Sequence, residues 1–343
     1  MGDEAAPGAT LRESPSPLTA AHDLVLLDLD GVVYIGGHAV PRATEAIDAA
    51  RQAGARVAFV TNNASRTPEV VAGNLVRLGV GATADQVVTS SQAAARMLAA
   101  AHPVESRVLM LGAEGLATAL VEEALVPVTA ADDPEVRAVV TGFGPDVVWR
   151  DVMRVAVRVR EGLPWVATNT DMSLPTSYGV APGHGVMVRM LSQFSGVEPE
   201  VAGKPHRPLL DEAVRRAGGR HPLMVGDRLD TDIEGAHAAG MDSLLVLTGV
   251  TDLTALVAAA PGQRPTYLSV TLEGLGRPHP APTVEGPAAR CGGWVAEVSS
   301  GALTVRGGGE ADDWWRAAAA ASWAHLDAEG TVADVAGLTP PRA

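Results

Sequence analysis

Short apolar runs alternate with amphipathic stretches along most of the chain. The first run, Leu24 to Leu27, is uninterrupted and predicts a strand that is buried on both faces. The elements predicted after it alternate between helix and strand: 41–54, 56–61, 67–78, 87–90 and 91–101. This order predicts an α/β fold in which a doubly wound, Rossmann-like parallel sheet is connected by crossover helices.

The alternation restarts near residue 107, as though a second α/β domain were inserted into the first. We expect the core domain to comprise residues 21–103 and 196–265, and the insert to comprise residues 104–195. Inside the insert, the stretch 169–185 contains Pro175, Pro182 and three glycines. It is predicted to be a long irregular loop with a functional role.

Both ends of the chain depart from this alternation. Residues 1–20 are rich in Pro, Ser and Ala without periodicity, which predicts a disordered leader. Residues 266–343 predict a small α+β extension with a hairpin over 294–305 and a helix over 312–327. The extension is too short for a secure core of its own, so we expect it to dock on the main body.

Composition narrows the class of protein. The 343 residues allow two domains, and 47% hydrophobic with 19% charged residues is a globular composition. The net charge of -14 disfavours nucleic acid and anionic membranes as partners. Cys291 is the single cysteine, which excludes an internal disulfide framework and favours a cytoplasmic location. No apolar segment in the sequence reaches the roughly 18 residues of a membrane span, and the N-terminus lacks the features of a signal peptide.

Polar residues suited to catalysis or ligand binding occur at four points in the predicted core. They are Asp28 with Asp30, the run Thr61-Asn62-Asn63, Lys204, and Asp227 with Asp232. Carboxyl ends of parallel strands meet at one sheet edge, so we expect these side chains to converge. Converging carboxylates repel unless a cation neutralises them, and oxygen ligands of this kind favour Mg2+. Lys204 and the groups near Thr61 would then hold phosphate oxygens.

Two carboxylates spaced as Asp28 and Asp30 suit phosphoryl transfer. Asp28 can attack phosphorus to form an aspartyl-phosphate, while Asp30 exchanges protons with the leaving group and then with water. Each residue alone also has a structural interpretation. Asp28 and Asp30 could form a solvated turn, Lys204 could start a helix, and Asp232 could favour a helix N-terminus. Their joint occurrence in this order favours the chemical interpretation.

The four motifs resemble those of haloacid-dehalogenase superfamily phosphatases that carry a large α/β cap between the second and third motifs. The resemblance covers about residues 23–260. It implies that Asp28 is the nucleophile and Asp30 the acid/base. It also implies that Mg2+ is held by Asp28, the carbonyl of Asp30 and Asp227, and that Asp232 acts on the metal indirectly, by supporting another ligand or through a water molecule. The phosphate-binding residues implied are Thr61, Asn62, Asn63 and Lys204.

In this resemblance, Asn169 and Asp171 stand in the substrate-specificity segment of the cap. The segment also offers Ser173, Thr176 and Ser177 as hydroxyl partners, with Tyr178 as its nearby aromatic residue. Members that act on pyridoxal phosphate usually carry a histidine there, where this chain has Met172, Ser173 and Leu174. A polar segment with few aromatics suits a short polyol better than a ring, which favours glycerol 3-phosphate. Phosphoglycolate and nucleotides such as UMP are the alternative substrates.

Two other classes of protein share parts of this pattern. A receiver-like phosphoprotein would keep its phospho-aspartate, but Asp30 beside the nucleophile would hasten its loss. A catalytically silent phosphate-binding protein would need neither Asp28 nor Asp30. We therefore expect an enzyme with a small phosphomonoester as its substrate. The oligomeric state stays open between a monomer and a homodimer.

The extension resembles that of actinobacterial glycerol 3-phosphate phosphatases, which is itself similar to part of an acetyltransferase fold. The stretch from Arg306 to Ala311 fits the Arg-x-x-Gly-x-Ala pattern of an acetyl-CoA pyrophosphate loop. The exit of a glycine-rich hairpin explains it more simply, because Asp312 and Asp313 would repel a pyrophosphate. Among the nine histidines, only His184 is close enough to the cap segment to be a candidate for a site.

Overall fold

The computed structural model describes residues 11–176 and 179–341. These residues form two compact units: 11–57 with 219–341 make the first, and 58–176 with 179–218 make the second. The elements of the opening segment are α1 (Leu18–Ala21), β1 (Leu24–Leu27), β2 (Tyr34–Ile35), β3 (His38–Ala39) and α2 (Ala43–Gln52). Every residue of β1 is buried, as its apolar run predicts.

The second unit contains the predicted cap together with flanking parts of the predicted core. Its elements begin with β4 (Arg56–Thr61), which crosses the boundary between the units. They continue as α3 (Pro68–Arg77), β5 (Val87–Thr89), α4 (Ser90–Ala101), β6 (Arg107–Leu111), α5 (Glu114–Glu122), β7 (Val126–Val128), β8 (Val136–Thr141), α6 (Trp149–Arg160), β9 (Trp165–Ala167), β10 (Ser173–Thr176), β11 (Gly179–Pro182), α7 (His184–Ser195), β12 (Glu200–Val201) and α8 (Arg207–Ala217).

Two parallel arrangements organise this unit. β4 pairs with β5, and five further strands form a parallel sheet in the order β12-β9-β8-β6-β7. Helices α6 and α7 cover apolar residues of the larger sheet, including Val139 and Trp165, with Val152, Val155 and Val188. The spacing of Val152, Val155 and Val159 along α6 is the helical period that buries one face. The α/β character predicted for the insert is therefore confirmed.

The chain then completes the first unit. Its remaining elements are β13 (Pro222–Gly226), α9 (Glu234–Ala239), β14 (Asp242–Val246), α10 (Leu253–Val257), β15 (Tyr267–Ser269), β16 (Thr283–Glu285), β17 (Ala288–Cys291), β18 (Trp294–Ser299), β19 (Ala302–Gly307) and α11 (Ala311–Glu329). Within this unit, β1, β13, β14 and β15 pair in parallel in that order. The last four strands form an antiparallel sheet in sequence order.

The predicted boundary between core and extension at residue 265 is not where the structure separates. β15 lies beyond that boundary and is hydrogen-bonded to β14 of the parallel sheet. The long helix α11 places Trp314 and Trp323 in one hydrophobic cluster with Leu245 and Leu256. The extension and this part of the core therefore belong to one unit and share one hydrophobic cluster.

The predicted disordered leader is also wrong for residues 11–20, whereas residues 1–10 lie outside the described part of the chain. Leu11 is 3% exposed and belongs to the cluster under α11. The backbone of Ser14 pairs with that of His279, and the nitrogen of Arg12 donates to the carbonyl of Thr266. The segment has no periodicity because it is ordered by contacts with residues more than 200 positions away.

Across residues 11–176 and 179–341, no helix combines the length and apolar character needed to cross a membrane.

Candidate active site

Three aspartates converge in the first unit. Asp28, Asp227 and Asp232 each offer one carboxylate oxygen, and these three oxygens lie within 4.8 Å of one another. Asp227 and Asp232 are each 1% exposed. At such separations in a buried setting, three negative charges repel strongly. The arrangement therefore favours a bound cation.

The parallel pairing of β1 and β13 accounts for two of these positions. Leu27 is in register with Val225, and the nitrogen of Asp28 donates to the carbonyl of Val225 at 2.9 Å. β1 ends at Leu27 and β13 ends one position further along, at Gly226, so the chain leaves these adjacent strand ends at Asp28 and Asp227. This is the edge at which the sequence predicts chemistry in a parallel sheet.

A π-helical turn, Leu229–Ile233, determines the position of the third aspartate. The nitrogen of Ile233 donates to the carbonyl of Arg228 at 3.2 Å, and the nitrogen of Arg228 donates to Oδ2 of Asp232 at 3.1 Å. Asp230, two residues earlier, pairs with the Arg228 guanidinium at 3.0 and 2.8 Å. The turn thus places Asp232 beside Asp28 and Asp227, and places Asp230 on the exposed surface. Single π-turns are frequent at functional sites.

The loop after β14 supports Asp227, and sequence reasoning missed it. The nitrogen of Val250 donates to Oδ2 of Asp227 at 2.7 Å, and the Thr251 hydroxyl donates to the Asp227 carbonyl at 2.6 Å. A Cβ atom at Gly31, whose φ is +85°, or at Gly249 would overlap the Asp227 carboxylate. The position of this loop, directly after the apolar run that forms β14 of the same sheet, is the signal that could have identified it.

The donor set fits a hard divalent cation. Three carboxylates from two strand ends and one turn provide anionic oxygen ligands, which Mg2+ and Ca2+ prefer over nitrogen or sulfur. Asp30 is exposed, and the Tyr34 hydroxyl donates to its Oδ2 at 3.4 Å. Its side chain is therefore accessible for proton exchange with a ligand or with water.

The remaining predicted site residues lie in the second unit. Lys204 is 2% exposed. The side chain of Asn62 bonds to both its backbone nitrogen and its backbone carbonyl. Oδ1 of Asn62 accepts from the Lys204 nitrogen at 2.9 Å, and Nδ2 donates to the Lys204 carbonyl at 3.0 Å. Nδ2 also donates to Oδ1 of Asp171 at 3.1 Å. The structure thus brings the second motif, the third motif and the cap segment together.

The polar run after β4 folds on itself through its side chains. The hydroxyl oxygen of Thr61 accepts from the nitrogen of Asn63 at 3.1 Å, so the hydroxyl proton can be donated elsewhere. Oδ1 of Asn63 accepts from the nitrogen and the hydroxyl of Ser65, both at 3.0 Å. These bonds make the run a tight turn instead of a flexible loop.

The predicted irregular stretch 169–185 contains the β10–β11 hairpin, so that prediction is wrong. Ser173 pairs with Pro182 and Thr176 with Gly179, whereas Ser177 and Tyr178 at its tip lie outside the described residues. After the hairpin, a Cβ atom at Gly183 or Gly185 would overlap backbone atoms of residues 170 and 171. The glycines that suggested irregularity instead permit close packing of backbone on backbone.

His184 is fixed behind the cap segment. Its Nδ1 donates to the Asn169 carbonyl at 2.8 Å, which makes Nε2 an acceptor. Burial lowers the pKa of His184 to about 4, against the opposing effect of that hydrogen bond. The ring is therefore neutral near pH 7. Nε2 is buried without a hydrogen-bond partner among residues 11–176 and 179–341.

Comparison with known proteins agrees with this geometry. Residues 25–125 match the haloacid dehalogenase-like hydrolase family, and residues 201–275 match a second model described as HAD-hydrolase-like. The chain belongs to the haloacid dehalogenase-like hydrolases. The sequence-based predictions of this superfamily, of its α/β fold and of a phosphatase-type enzyme are confirmed.

Two curated relatives illustrate the range of the family. The chain is 44% identical over 293 residues to D-glycerol 3-phosphate phosphatase of Mycobacterium tuberculosis, which covers 85% of this chain and 80% of that protein. It is 36% identical over 228 residues to a 5'-nucleotidase of Bacillus subtilis, covering 66% and 87%. A solved structure of a Mycobacterium tuberculosis glycerol phosphate phosphatase in complex with magnesium matches with a TM-score of 0.82. That match has 42% identity and covers 90% of this chain and 92% of the other.

Proposed function

We propose that this chain is a Mg2+-dependent phosphatase that hydrolyses a small phosphorylated metabolite, glycerol 3-phosphate, through an aspartyl-phosphate. The observation that carries this proposal is the convergence of Asp28, Asp227 and Asp232 at the end of two parallel strands. The mycobacterial relatives support both the metal and the substrate.

Asp28, Asp227 and Asp232, with the backbone carbonyl of Asp30, would hold the metal. Bound Mg2+ would neutralise the carboxylates and stabilise the negative charge on the phosphoryl group. The amide of Val250 keeps Oδ2 of Asp227 oriented, and the amide of Arg228 does the same for Asp232. Such backbone bonds hold ligands in place before the substrate binds.

The reaction proceeds in two displacements. An oxygen of Asp28 attacks phosphorus, the bond to the alcohol oxygen breaks, and Asp30 donates its proton to the departing alkoxide. Water then attacks the phosphoryl group, gives a proton to Asp30, and the bond to Asp28 breaks to release phosphate. The exposure of Asp30 permits both proton transfers.

In this proposal, the phosphate is bound by Thr61, Asn63 and Lys204. The ammonium group of Lys204 contributes positive charge, and the Thr61 hydroxyl retains a proton to donate. These roles follow from the resemblance of the motifs. The resemblance implies the same role for Asn62, but the side chain of Asn62 is hydrogen-bonded to Lys204 and Asp171.

Asn169 and Asp171 are proposed to recognise the alcohol part of the substrate. A carboxylate such as Asp171 accepts hydrogen bonds from hydroxyl groups, and a site built for hydroxyls discriminates against substrates that lack them. A nucleotide such as UMP is the second candidate substrate, because the Bacillus relative is a 5'-nucleotidase.

The test is kcat/KM with and without Mg2+ for glycerol 3-phosphate, phosphoglycolate, UMP and pyridoxal phosphate, in the wild type and in Asp171→Ala. We expect Mg2+-dependent turnover with glycerol 3-phosphate preferred, and a loss of that preference in Asp171→Ala. A tenfold preference for UMP or pyridoxal phosphate would overturn the substrate while leaving the reaction class intact. Turnover of none of the four with Mg2+ would overturn the reaction class.

A further inference from the structure

We propose that Asn62 is a positioning residue that couples Asp171 of the cap segment to the backbone of Lys204, instead of a residue whose side chain contacts phosphate. The roles of Lys204 and Asp171 in this inference rest on the proposed function. All the contacts that support it lie within the second compact unit.

The hydrogen-bonding capacity of the Asn62 side chain carries the argument. A carboxamide has two N–H donors and one acceptor oxygen. Both donors of Asn62 are engaged, one with the Lys204 carbonyl at 3.0 Å and one with Oδ1 of Asp171 at 3.1 Å. The oxygen accepts from the Lys204 nitrogen at 2.9 Å. The side chain therefore has no N–H left for a phosphate oxygen.

Gly203 provides an independent observation. A Cβ atom there would lie 2.7 Å from Oδ1 of Asn62 and 2.6 Å from the carbonyl oxygen of Thr168. The residue before Lys204 must therefore be glycine for the chain to approach the Asn62 amide this closely. The contact with Asn62 is thus one reason why the third motif requires glycine at position 203.

The backbone carbonyl of Asn62 is also held, by the cap segment and by helix α4. Its carbonyl accepts from Nδ2 of Asn169 at 2.8 Å and from the Ser90 hydroxyl at 2.7 Å. Oδ1 of Asn169 accepts from the nitrogen of Asp171 at 3.2 Å, and His184 binds the Asn169 carbonyl. A displacement of Asp171 by the alcohol part of a substrate is therefore transmitted through Asn62 to Lys204.

The sharpest test exchanges the two side chains. Asn62→Asp removes both N–H donors and places a carboxylate beside Asp171, so both bonds of Nδ2 are lost. In Asn62→Asp/Asp171→Asn, the new amide at 171 can donate to the new carboxylate at 62, which restores one bond with its polarity reversed. Asn74→Asp is the matched control, because it adds the same charge in α3 of the same unit.

The substrate for this test is p-nitrophenyl phosphate, whose leaving group has no hydroxyl for Asp171 to bind. With it, the outcome does not depend on glycerol 3-phosphate being the physiological substrate. We expect Asn62→Asp to lower kcat/KM by about tenfold or more, the exchange variant to recover at least threefold of the loss, and Asn74→Asp to match the wild type. Direct contact between residue 62 and phosphate predicts the opposite pattern. A carboxylate at 62 would then repel phosphate whatever residue occupies 171, and absence of recovery would overturn the proposal.

A thermal-unfolding cycle over the wild type, Asn62→Asp, Asp171→Asn and the exchange variant provides a readout that needs no turnover. If positions 62 and 171 are coupled, the loss of stability in the exchange variant should be smaller than the sum of the losses in the two single variants. Additive effects would overturn the link between the segments even if the wild type hydrolysed none of the phosphomonoesters. Coupling in stability without recovery of kcat/KM would show a purely structural contact and would also overturn the positioning role.

Discussion

Two groups of acidic residues in the first unit have opposite surroundings. Asp28, Asp227 and Asp232 converge on one another, with their nearest oxygens within 4.8 Å. Asp312 and Asp313, at the start of α11, converge on Arg316, whose guanidinium lies 3.5 and 2.8 Å from their carboxylates. Asp312 also accepts from the Ser269 hydroxyl and the nitrogen of Val270.

The first group, Asp28, Asp227 and Asp232, is called the convergent group and is a candidate ligand site. The second, Asp312 and Asp313 with Arg316, is called the α11 joint and has its charges paired within the chain. At α11 the charges are neutralised within the chain, so the helix N-terminus is already occupied by its own carboxylates. This favours the simpler interpretation of the glycine-rich stretch from Arg306 to Ala311, which begins at the end of β19, as the exit of a hairpin and not a pyrophosphate loop. In the convergent group, carboxylates gather where a cation is needed to complete the site.

The largest expected effect comes from substituting Asp28, the proposed nucleophile of the convergent group. Asp28→Asn should lower kcat for p-nitrophenyl phosphate by about 10,000-fold or more, because an amide is a very poor nucleophile toward phosphorus. The variant should remain folded, because asparagine has nearly the same size as aspartate and the buried apolar run of β1 is unchanged. Steady-state kinetics with circular dichroism checks both. Rapid turnover by the folded, Mg2+-supplied variant would contradict the account.

The second effect breaks the joint at α11. Arg316→Met leaves Asp312 and Asp313 without their buried cation, and should lower the free energy of unfolding by about 3–5 kcal/mol. Arg316 is 4% exposed, and it also donates to the Leu268 carbonyl and to His279. Arg306→Met is the matched control, because its pair with Glu297 is exposed and should contribute less than about 1 kcal/mol.

For Arg316→Met, urea unfolding gives the stability and kcat of the folded protein gives the chemistry. We expect kcat within about twofold of the wild type at low temperature, because Arg316 lies outside the convergent group. Equal loss of stability in both arginine variants would show that the joint is not special. Ending the chain at residue 265 is a less clean test, since it also removes strand β15 from the parallel sheet.

The third effect is a pH dependence of the same joint. Burial, with Arg316 nearby and against the influence of Asp312 and Asp313, lowers the pKa of His279 to about 4. The unfolded chain, with an ordinary histidine pKa near 6.5, then binds more protons than the folded chain between about pH 6.5 and 4. Stability from this group is complete above that window and falls as pH falls through it.

At pH 5, the loss attributable to His279 should be about 2 kcal/mol relative to pH 7. Urea unfolding at both pH values in the wild type, His279→Gln and the exposed-site control His38→Gln measures it. The His279 variant should lose less stability on acidification than the other two proteins. Identical slopes for all three would show that His279 is not the group that titrates.

The smallest effect adjusts the convergent group without removing a charge. A methyl group at Gly249 would overlap the Asp227 carboxylate, whereas Gly262 has no atom within 4 Å of an added Cβ. Gly249→Ala should raise the Mg2+ concentration for half-maximal activity by about tenfold, or about 1.4 kcal/mol, and Gly262→Ala should leave it unchanged. An unchanged Mg2+ requirement in Gly249→Ala would show that the position of Asp227 is not critical.

Local patterns predicted much of the fold because they act over short distances. The buried apolar run before Asp28 determines where that carboxylate emerges, and this strand forms as predicted. The features that were missed depend on distant contacts. Asn62 meets Lys204 across 142 positions, and a peptide pattern does not reveal such a partner. The π-turn that selects Asp232 over Asp230 follows from hydrogen bonding that composition does not encode.

Trapping the covalent intermediate tests the central claim most directly. In Asp30→Asn, attack by Asp28 on p-nitrophenyl phosphate should still occur because the leaving group needs little protonation, but hydrolysis of the aspartyl-phosphate should stall. Rapid quenching and peptide mass spectrometry should find one phosphoryl group on Asp28 in the presence of Mg2+, and none in Asp28→Asn/Asp30→Asn. A phosphoryl group on another residue, or turnover by Asp30→Asn without a covalent intermediate at any time, would contradict the account.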